Sequence, residues 1–346
     1  MTAPARRTTT AGTRGAAAPT PTGTAAPTLR DRARRAETAT AAATAIYAER
    51  PGTNDTPGAR RIAAAFGRAS AAGRAALILY IVAGYPDYEG SLAAALAAAD
   101  AGADLLEVGL PYSDPLADGA TLQRATAAAL RAGATLETSA ALIRAVAVAR
   151  PDVPLVPMCY ANQVIGGGDG RAVAALLAEA GASGVIVADL TPDEGAGFES
   201  VARAVGLAVV YLIAPTTAPL RRAEIARRSG GFLYCVSLVG VTGARRSLPP
   251  SVGRLVAAAS ADSPVPVAVG FGVSRPAHVQ VLVHAGADGV IVASALVDAL
   301  GPDGRDVAAL AALVGELHGA TGRGSGQSAP GGAVAVAPAE QSRGEP

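Results

Sequence analysis

Eight short apolar runs, separated by stretches of helical length, constrain this chain more than any other feature. They fall at 77–83 (LILYIVA), 105–110 (LLEVGL), 153–159 (VPLVPMC), 184–189 (GVIVAD), 207–213 (LAVVYLI), 231–236 (GFLYCV), 265–270 (VPVAVG) and 289–293 (GVIVA). Each run has the length of a strand, and the Ala-rich stretches between them have the length of helices. Regular strand–helix alternation argues for a parallel sheet with helical crossovers, and eight strands is the number that closes a barrel. A weak repeat supports this: AGAD at 101–104, AGAS at 180–183 and AGAD at 285–288 each precede a run. Their Gly fits the left-handed position that ends a helix and turns the chain into the next strand. An open doubly wound sheet would want a Gly-rich fingerprint after its first strand. Here the first run leads into Ala83-Gly84-Tyr85-Pro86 instead. The expected fold is α/β, a (β/α)8 barrel of the TIM type with an extra N-terminal helix and disordered tails.

The barrel is expected over residues 57–319. Residues 1–56 are Ala, Thr, Pro, Gly and Arg with almost no large apolar side chain before Ile46. Such a segment cannot bury enough surface to offset its ordering entropy, so a disordered extension is expected. Its Arg-rich, acid-poor start resembles a transit peptide, but the same compositional bias runs through the whole chain and favours a low-complexity extension. Residues 320–346 read as a second flexible tail.

Composition removes several function classes. All the basic residues are Arg and none is Lys, so Schiff-base chemistry on a lysine is excluded. The formal net charge is +1, which gives no global pull toward nucleic acid or a membrane surface. Cys159 and Cys235 lie far apart, without metal or redox spacing, each in an apolar run beside a Tyr; buried thiols are expected. His278, His284 and His318 sit on Ala- and Val-rich helical segments, where surface or packing roles are expected. No metal site is expected. No apolar run approaches the ~20 residues of a membrane helix, so the protein reads as soluble and cytoplasmic.

Enzymes on this fold work at the C-terminal ends of the strands. In the second run, alternation puts Leu106, Val108 and Leu110 on one face and Glu107 with Gly109 on the other. The apolar trio should face the helices, which points Glu107 into the barrel. A carboxylate there is costly unless paired, and its pKa should rise toward the range a general acid/base needs. Strand position alone leaves a buried ion pair equally open. The loop that follows, Pro111 to Gly119, carries Asp114 and Asp118, either of which could be a turn former. Asp118 lies on the mouth side.

A second signal is independent. Run seven ends in Gly270-Phe271-Gly272-Val273-Ser274, and run eight in Ala293-Ser294. Loops seven and eight are where many such barrels hold a phosphate on backbone N–H groups. Two Gly flanking Phe271 would let the backbone approach an anion. Loop six, Ser237 to Arg246, is Gly-hinged and precedes Pro249-Pro250; its composition fits either a mobile lid or a passive surface loop.

With those residues in view, the chain resembles the α subunit of tryptophan synthase. The stretch E-V-G-L-P-Y-S-D-P-L-A-D-G from Glu107 to Gly119 carries the likeness most specifically. Tyr160-Ala161-Asn162, Ala188-Asp189-Leu190, Tyr234 leading to Ser237, Gly240-Val241-Thr242-Gly243 and Gly270 to Ser274 follow in the family's order, over roughly residues 60 to 318.

The resemblance implies cleavage of indole-3-glycerol phosphate to indole and glyceraldehyde 3-phosphate, a retro-aldol reaction with no metal or organic cofactor. By it, Glu107 is the general acid/base, and Asp118 accepts a hydrogen bond from the indole N–H; Asp114 drops out as a turn residue. Gly243, Gly272, Ala293 and Ser294 would hold the phosphate, with Ala293 standing where the family usually has Gly. Tyr80, Met158, Tyr160, Ile186, Tyr234 and Phe271 would line the indole pocket, and Thr242 would be the lid residue that reaches the loop-two Asp. Leu238 stands where some members carry an Arg. The implied partner is a pyridoxal-phosphate β subunit in an α2β2 complex, docked over the barrel mouth and receiving the indole. A free-standing lyase and a non-catalytic subunit that regulates β are the alternatives; retention of both acids argues against the last.

Overall fold

The computed structural model describes residues 55–236, 251–270 and 272–323. Residues 1–54, which include the N-terminal unit 1–51, the C-terminal 324–346, all of loop six and Phe271 lie outside them.

In chain order the elements are α1 (Pro57–Ala71), β1 (Ala76–Val82), α2 (Tyr88–Asp100), β2 (Leu105–Gly109), α3 (Ala120–Arg131), α4 (Leu136–Ala149), β3 (Leu155–Cys159), α5 (Ala161–Ile165), α6 (Arg171–Glu179) and β4 (Gly184–Val187). There follow α7 (Pro192–Ala204), β5 (Ala208–Val210), β6 (Leu212–Ile213), α8 (Pro219–Arg228), β7 (Leu233–Val236), α9 (Ser251–Asp262), β8 (Val267–Gly270), α10 (Pro276–His284), β9 (Gly289–Val292), α11 (Ser294–Ala299) and α12 (Val307–Gly319).

All neighbouring strands pair in parallel, in the order β5-β4-β3-β2-β1-β9-β8-β7-β6. The two end strands are consecutive in the chain, with only Tyr211 between them. They are the lower and upper halves of the single run expected at 207–213, the lower half bonded to β4 and the upper to β7. One broken stave therefore closes the ring, and the barrel has eight staves. Across the break, the Ser229 hydroxyl takes the place of a strand backbone: it accepts from Tyr211 N–H at 3.0 Å and donates to Phe232 O at 2.6 Å.

Two apolar clusters follow from strand alternation. Leu106, Val108 and Leu110 pack outward with the helices, in the expected sense. Leu105, Ile78, Val156, Ile186, Val210 and Ile291 point inward and share a cluster with Ile62, Ala65 and Phe66 of α1. The extra N-terminal helix is thus the plug of the barrel's base. Thr56 caps it, its hydroxyl accepting from Ala59 N–H at 3.0 Å, and Pro57 fits the first turn. Gly58 is required where the plug seats, because a Cβ there would lie 1.7 Å from Ser183 O.

The repeated tetrapeptides end helices as expected: Gly102, Gly181 and Gly286 have φ of 120°, 96° and 92°. In the two AGAD copies the Asp has a second task. Asp104 accepts Leu77 N–H at 2.8 Å and pairs with Arg74, and Asp288 accepts Val267 N–H at 3.0 Å. Each carboxylate therefore caps the start of a neighbouring strand. Residues just past the expected domain end are bonded to that same base: Thr321 O accepts Ala75 N–H at 2.9 Å, and Arg323 pairs with Asp288. Both cysteines are buried and free, and no single described helix is long and apolar enough to cross a membrane.

Candidate active site

At the C-terminal end of the strands opens a cavity of about 590 Å³. Glu107, Asp118, Tyr80, Met158 and Tyr234 line it together with Gly272, Ala293 and Ser294. Residues assigned to three different tasks on sequence grounds thus share one space.

Glu107 reaches it from the middle of β2, paired across to Tyr80 on β1 and Val156 on β3. It is 1% exposed. Neither carboxylate oxygen has a hydrogen-bond partner, which closes the ion-pair alternative among the described residues. Burial alone pushes its pKa up to about 8. At neutral pH the group is an uncharged acid, able to give a proton and take one back.

Asp118 stands on the β2–α3 loop, whose turn is closed by Asp118 N–H donating to Pro115 O at 3.0 Å. Burial raises its pKa to about 6, and a hydrogen bond from Tyr160 works against that rise. The two acids are therefore separated by environment: near neutral pH one is protonated and the other ionised. Asp114 is exposed and bonded to Ser113 at 2.5 Å, away from the cavity.

Tyr160 lies behind this loop rather than on the cavity wall. Its hydroxyl accepts Ala117 N–H at 3.1 Å, and its ring stacks on Tyr112 at 5.2 Å. Gln163 completes the bracket, accepting Tyr160 N–H and donating to Pro111 O, both at 3.0 Å. Asp189 accepts Ala161 N–H at 2.6 Å and holds the start of α5. Ile186 also lies off the wall, fully buried in the interior cluster; Ala188, two residues further along, is the residue of that stave that lines the cavity.

The two interior tyrosines each depend on a glycine. A Cβ at Gly109 would lie 1.8 Å from the Tyr80 hydroxyl, and one at Gly270 would lie 2.7 Å from that of Tyr234. Gly270 therefore makes room for a phenol, which corrects the expectation that both Gly around Phe271 admit an anion. Gly272 fits that expectation better, with φ +73° and a place on the wall. Ala293 and Ser294 stand at the start of the short helix α11, so loops seven and eight both contribute to the cavity wall. Leu116, Leu122, Gln123, Leu212, Ile213 and Thr217 add a wall that motif reading did not identify. Gly243, Thr242, Leu238 and Phe271 lie outside the described residues, as does the expected lid.

The fold and site define a (β/α)8-barrel enzyme with an uncharged acid and an ionised acid facing one cavity. The family model for the tryptophan synthase alpha chain matches residues 66–320. The alpha chain from Chloroflexus aurantiacus is 43% identical over 266 residues, covering 76% of this chain and 99% of the relative. That from Deinococcus radiodurans is 43% identical, covering 75% and 95%. Among solved structures, a chain of Mycobacterium tuberculosis tryptophan synthase superposes with a TM-score of 0.70 at 41% identity, covering 76% and 99%. The alpha subunit from Pyrococcus furiosus gives 0.66 at 36%, covering 71% and 99%. The chain belongs to the tryptophan synthase alpha chain family.

Proposed function

We propose that this alpha chain cleaves indole-3-glycerol phosphate to indole and glyceraldehyde 3-phosphate, as a carbon–carbon lyase. The observation that carries the reading is the buried, unpartnered Glu107 carboxyl on the cavity wall, with a pKa of about 8. Glu107 starts protonated and donates to indole C3. The ring nitrogen then carries positive charge, and ionised Asp118 accepts its N–H and stabilises that charge. The Glu107 carboxylate next takes the proton of the glycerol hydroxyl adjacent to the ring. The carbon–carbon bond breaks, its electron pair restores the indole, and the hydroxyl carbon leaves as the aldehyde. Glu107 ends protonated, so the cycle closes with no metal or organic cofactor.

Backbone groups at Gly272, Ala293 and Ser294 hold the phosphate, with Gly243 completing the set. Tyr80, Met158, Tyr234 and Phe271 enclose the indole. Tyr160 and Ile186 support the pocket from behind and below, and Thr242 belongs to the closing lid. The catalytic domain is assigned to residues 57–319.

The chain works with a β subunit that carries pyridoxal phosphate and receives the indole, in an α2β2 assembly in the cytoplasm. Leu116, 91% exposed beside the cavity mouth, is an apolar contact such a partner would cover. Indole release from indole-3-glycerol phosphate, measured with and without β, tests the whole reading. Slow unaided turnover with strong stimulation by β is expected. Fast unaided turnover would identify a free-standing lyase, and no turnover under either condition would identify a regulatory subunit.

A further inference from the structure

The mechanism leaves unused a buried titratable side chain packed against the loop after β8. His278, 3% exposed, is the third residue of α10, and its ring turns back against the loop that brings Gly272 to the cavity. Nδ1 lies 3.3 Å from Ser274 N, and Nε2 lies 3.0 Å from Arg275 Nε. Both neighbours are donors, since a guanidinium never accepts. A neutral imidazole offers one lone pair, so the two compete for it. Arg275 donates from an exposed side chain, whereas the half-buried Ser274 amide is fixed in the backbone. The tautomer with the hydrogen on Nε2 gives the Nδ1 lone pair to the Ser274 amide, at the expense of the Arg275 contact.

Gly272 is the near side of this turn, held at φ +73°, and Val273, 2% exposed, is its pivot. Ser274 is the far side. We propose that His278 is a positioning residue for phosphate binding: its Nδ1 anchors Ser274 N–H and so fixes the direction in which the Gly272 backbone faces the cavity. This rests on the reading that the substrate phosphate sits between Gly272 and Ser294. The helix-surface or packing role expected of a histidine in such a segment would bear on stability alone.

Two amides separate the ring nitrogens. The Asn Oδ1 falls near the place of Nδ1, and the head group of Gln near that of Nε2. Full-length wild type, H278N, H278Q and H278A are compared by calorimetric titration with inorganic phosphate and with glycerol 3-phosphate, by KM and kcat for indole-3-glycerol phosphate, and by thermal melting. H278A and H278Q should lose phosphate affinity and raise KM by ~10-fold, the upper scale of one neutral hydrogen bond, with kcat within about two-fold; H278N should restore both. Equal phosphate affinity in all four proteins overturns the proposal, whatever the melting temperatures do. Retention in H278Q with loss in H278N overturns the Nδ1 assignment. If H278A does not fold, H278N against H278Q decides. Failure of wild type itself to bind phosphate removes the phosphate reading, and the proposal with it, which is a different result from wild-type binding that is insensitive to residue 278.

Discussion

Replacing Glu107 with Gln should abolish indole release and, at alkaline pH, make the protein more stable. In the folded chain this carboxyl is buried without a partner, and its pKa lies at about 8; in the unfolded chain it returns to roughly 4.3. Between those values the folded state holds a proton that the unfolded state has lost, so stability falls as pH rises. The contribution is most favourable below roughly pH 4, and it is lost progressively up to about pH 8, beyond which the curve is flat. Each pH unit in that window removes about 1.4 kcal/mol. Gln has nearly the same shape and leaves a similar unpartnered polar head in the same place, but it never ionises.

The stability difference between E107Q and wild type should therefore grow in favour of the mutant by about 3–4 kcal/mol from pH 5 to pH 8.5. Urea denaturation of both proteins at several pH values measures it, since the titrations they share cancel in the difference. A difference that stays constant with pH would refute the reasoning: it would mean that Glu107 ionises in the fold as easily as in water, through a partner or through entering solvent. Loss of cleavage by ~10²–10⁴-fold or more in the same variant would then need another cause.

Cleavage by wild type should follow a bell-shaped pH profile, rising through about 6 as Asp118 ionises and falling through about 8 as Glu107 loses its proton; a profile flat from pH 5 to 9 would remove both assignments. D118N keeps an acceptor but loses the charge, so kcat should fall by ~10²–10³-fold, and steady-state kinetics showing an unchanged kcat would leave Asp118 as a spacer. G109A drives a Cβ to 1.8 Å from the Tyr80 hydroxyl and should cost about 1–3 kcal/mol by chemical denaturation together with lost activity. G58A meets Ser183 O at 1.7 Å; it should lower stability by a similar amount while unseating the plug, seen as faster hydrogen exchange in α1.

Period-two alternation was enough to place Glu107, because it decides which side of a strand a residue faces, and Leu106 and Val108 leave little choice on β2. It does not decide height. Ile186 faces inward as alternation requires, yet it lies in the packed layer under the cavity, while Ala188 on the same stave reaches the wall. Height is set by the stagger between strands, and stagger comes from pairings with residues dozens of positions away. The broken stave was illegible for a related reason: 207–213 is an uninterrupted apolar run, and the Ser229 hydroxyl that bonds at its break comes from a different segment. Tyr160 reads as a pocket aromatic because it is one residue past a strand end, and its bracket with Gln163 and Ala117 exists only once loop two has folded back over β3. The same limit explains His278, whose helical neighbours describe a packing residue while its ring serves a turn.

These misplacements share a direction. Sequence periodicity captured the part of the site that strands hold, which is the buried acid Glu107. The loop residues Asp118, Gly272, Ala293 and Ser294, which also reach the cavity wall, were legible from loop position and the family motifs instead, but the long-range hydrogen bonds that hold those loops were not. The chemistry needs those loops at fixed separation from Glu107, because an acid at the right pKa is useless against a substrate that can shift by an ångström. Tyr160, Gln163 and Asp189 at one end, and His278 at the other, tie these loops to the barrel. Substitutions there should lower kcat/KM while leaving the pKa of Glu107 where burial has put it.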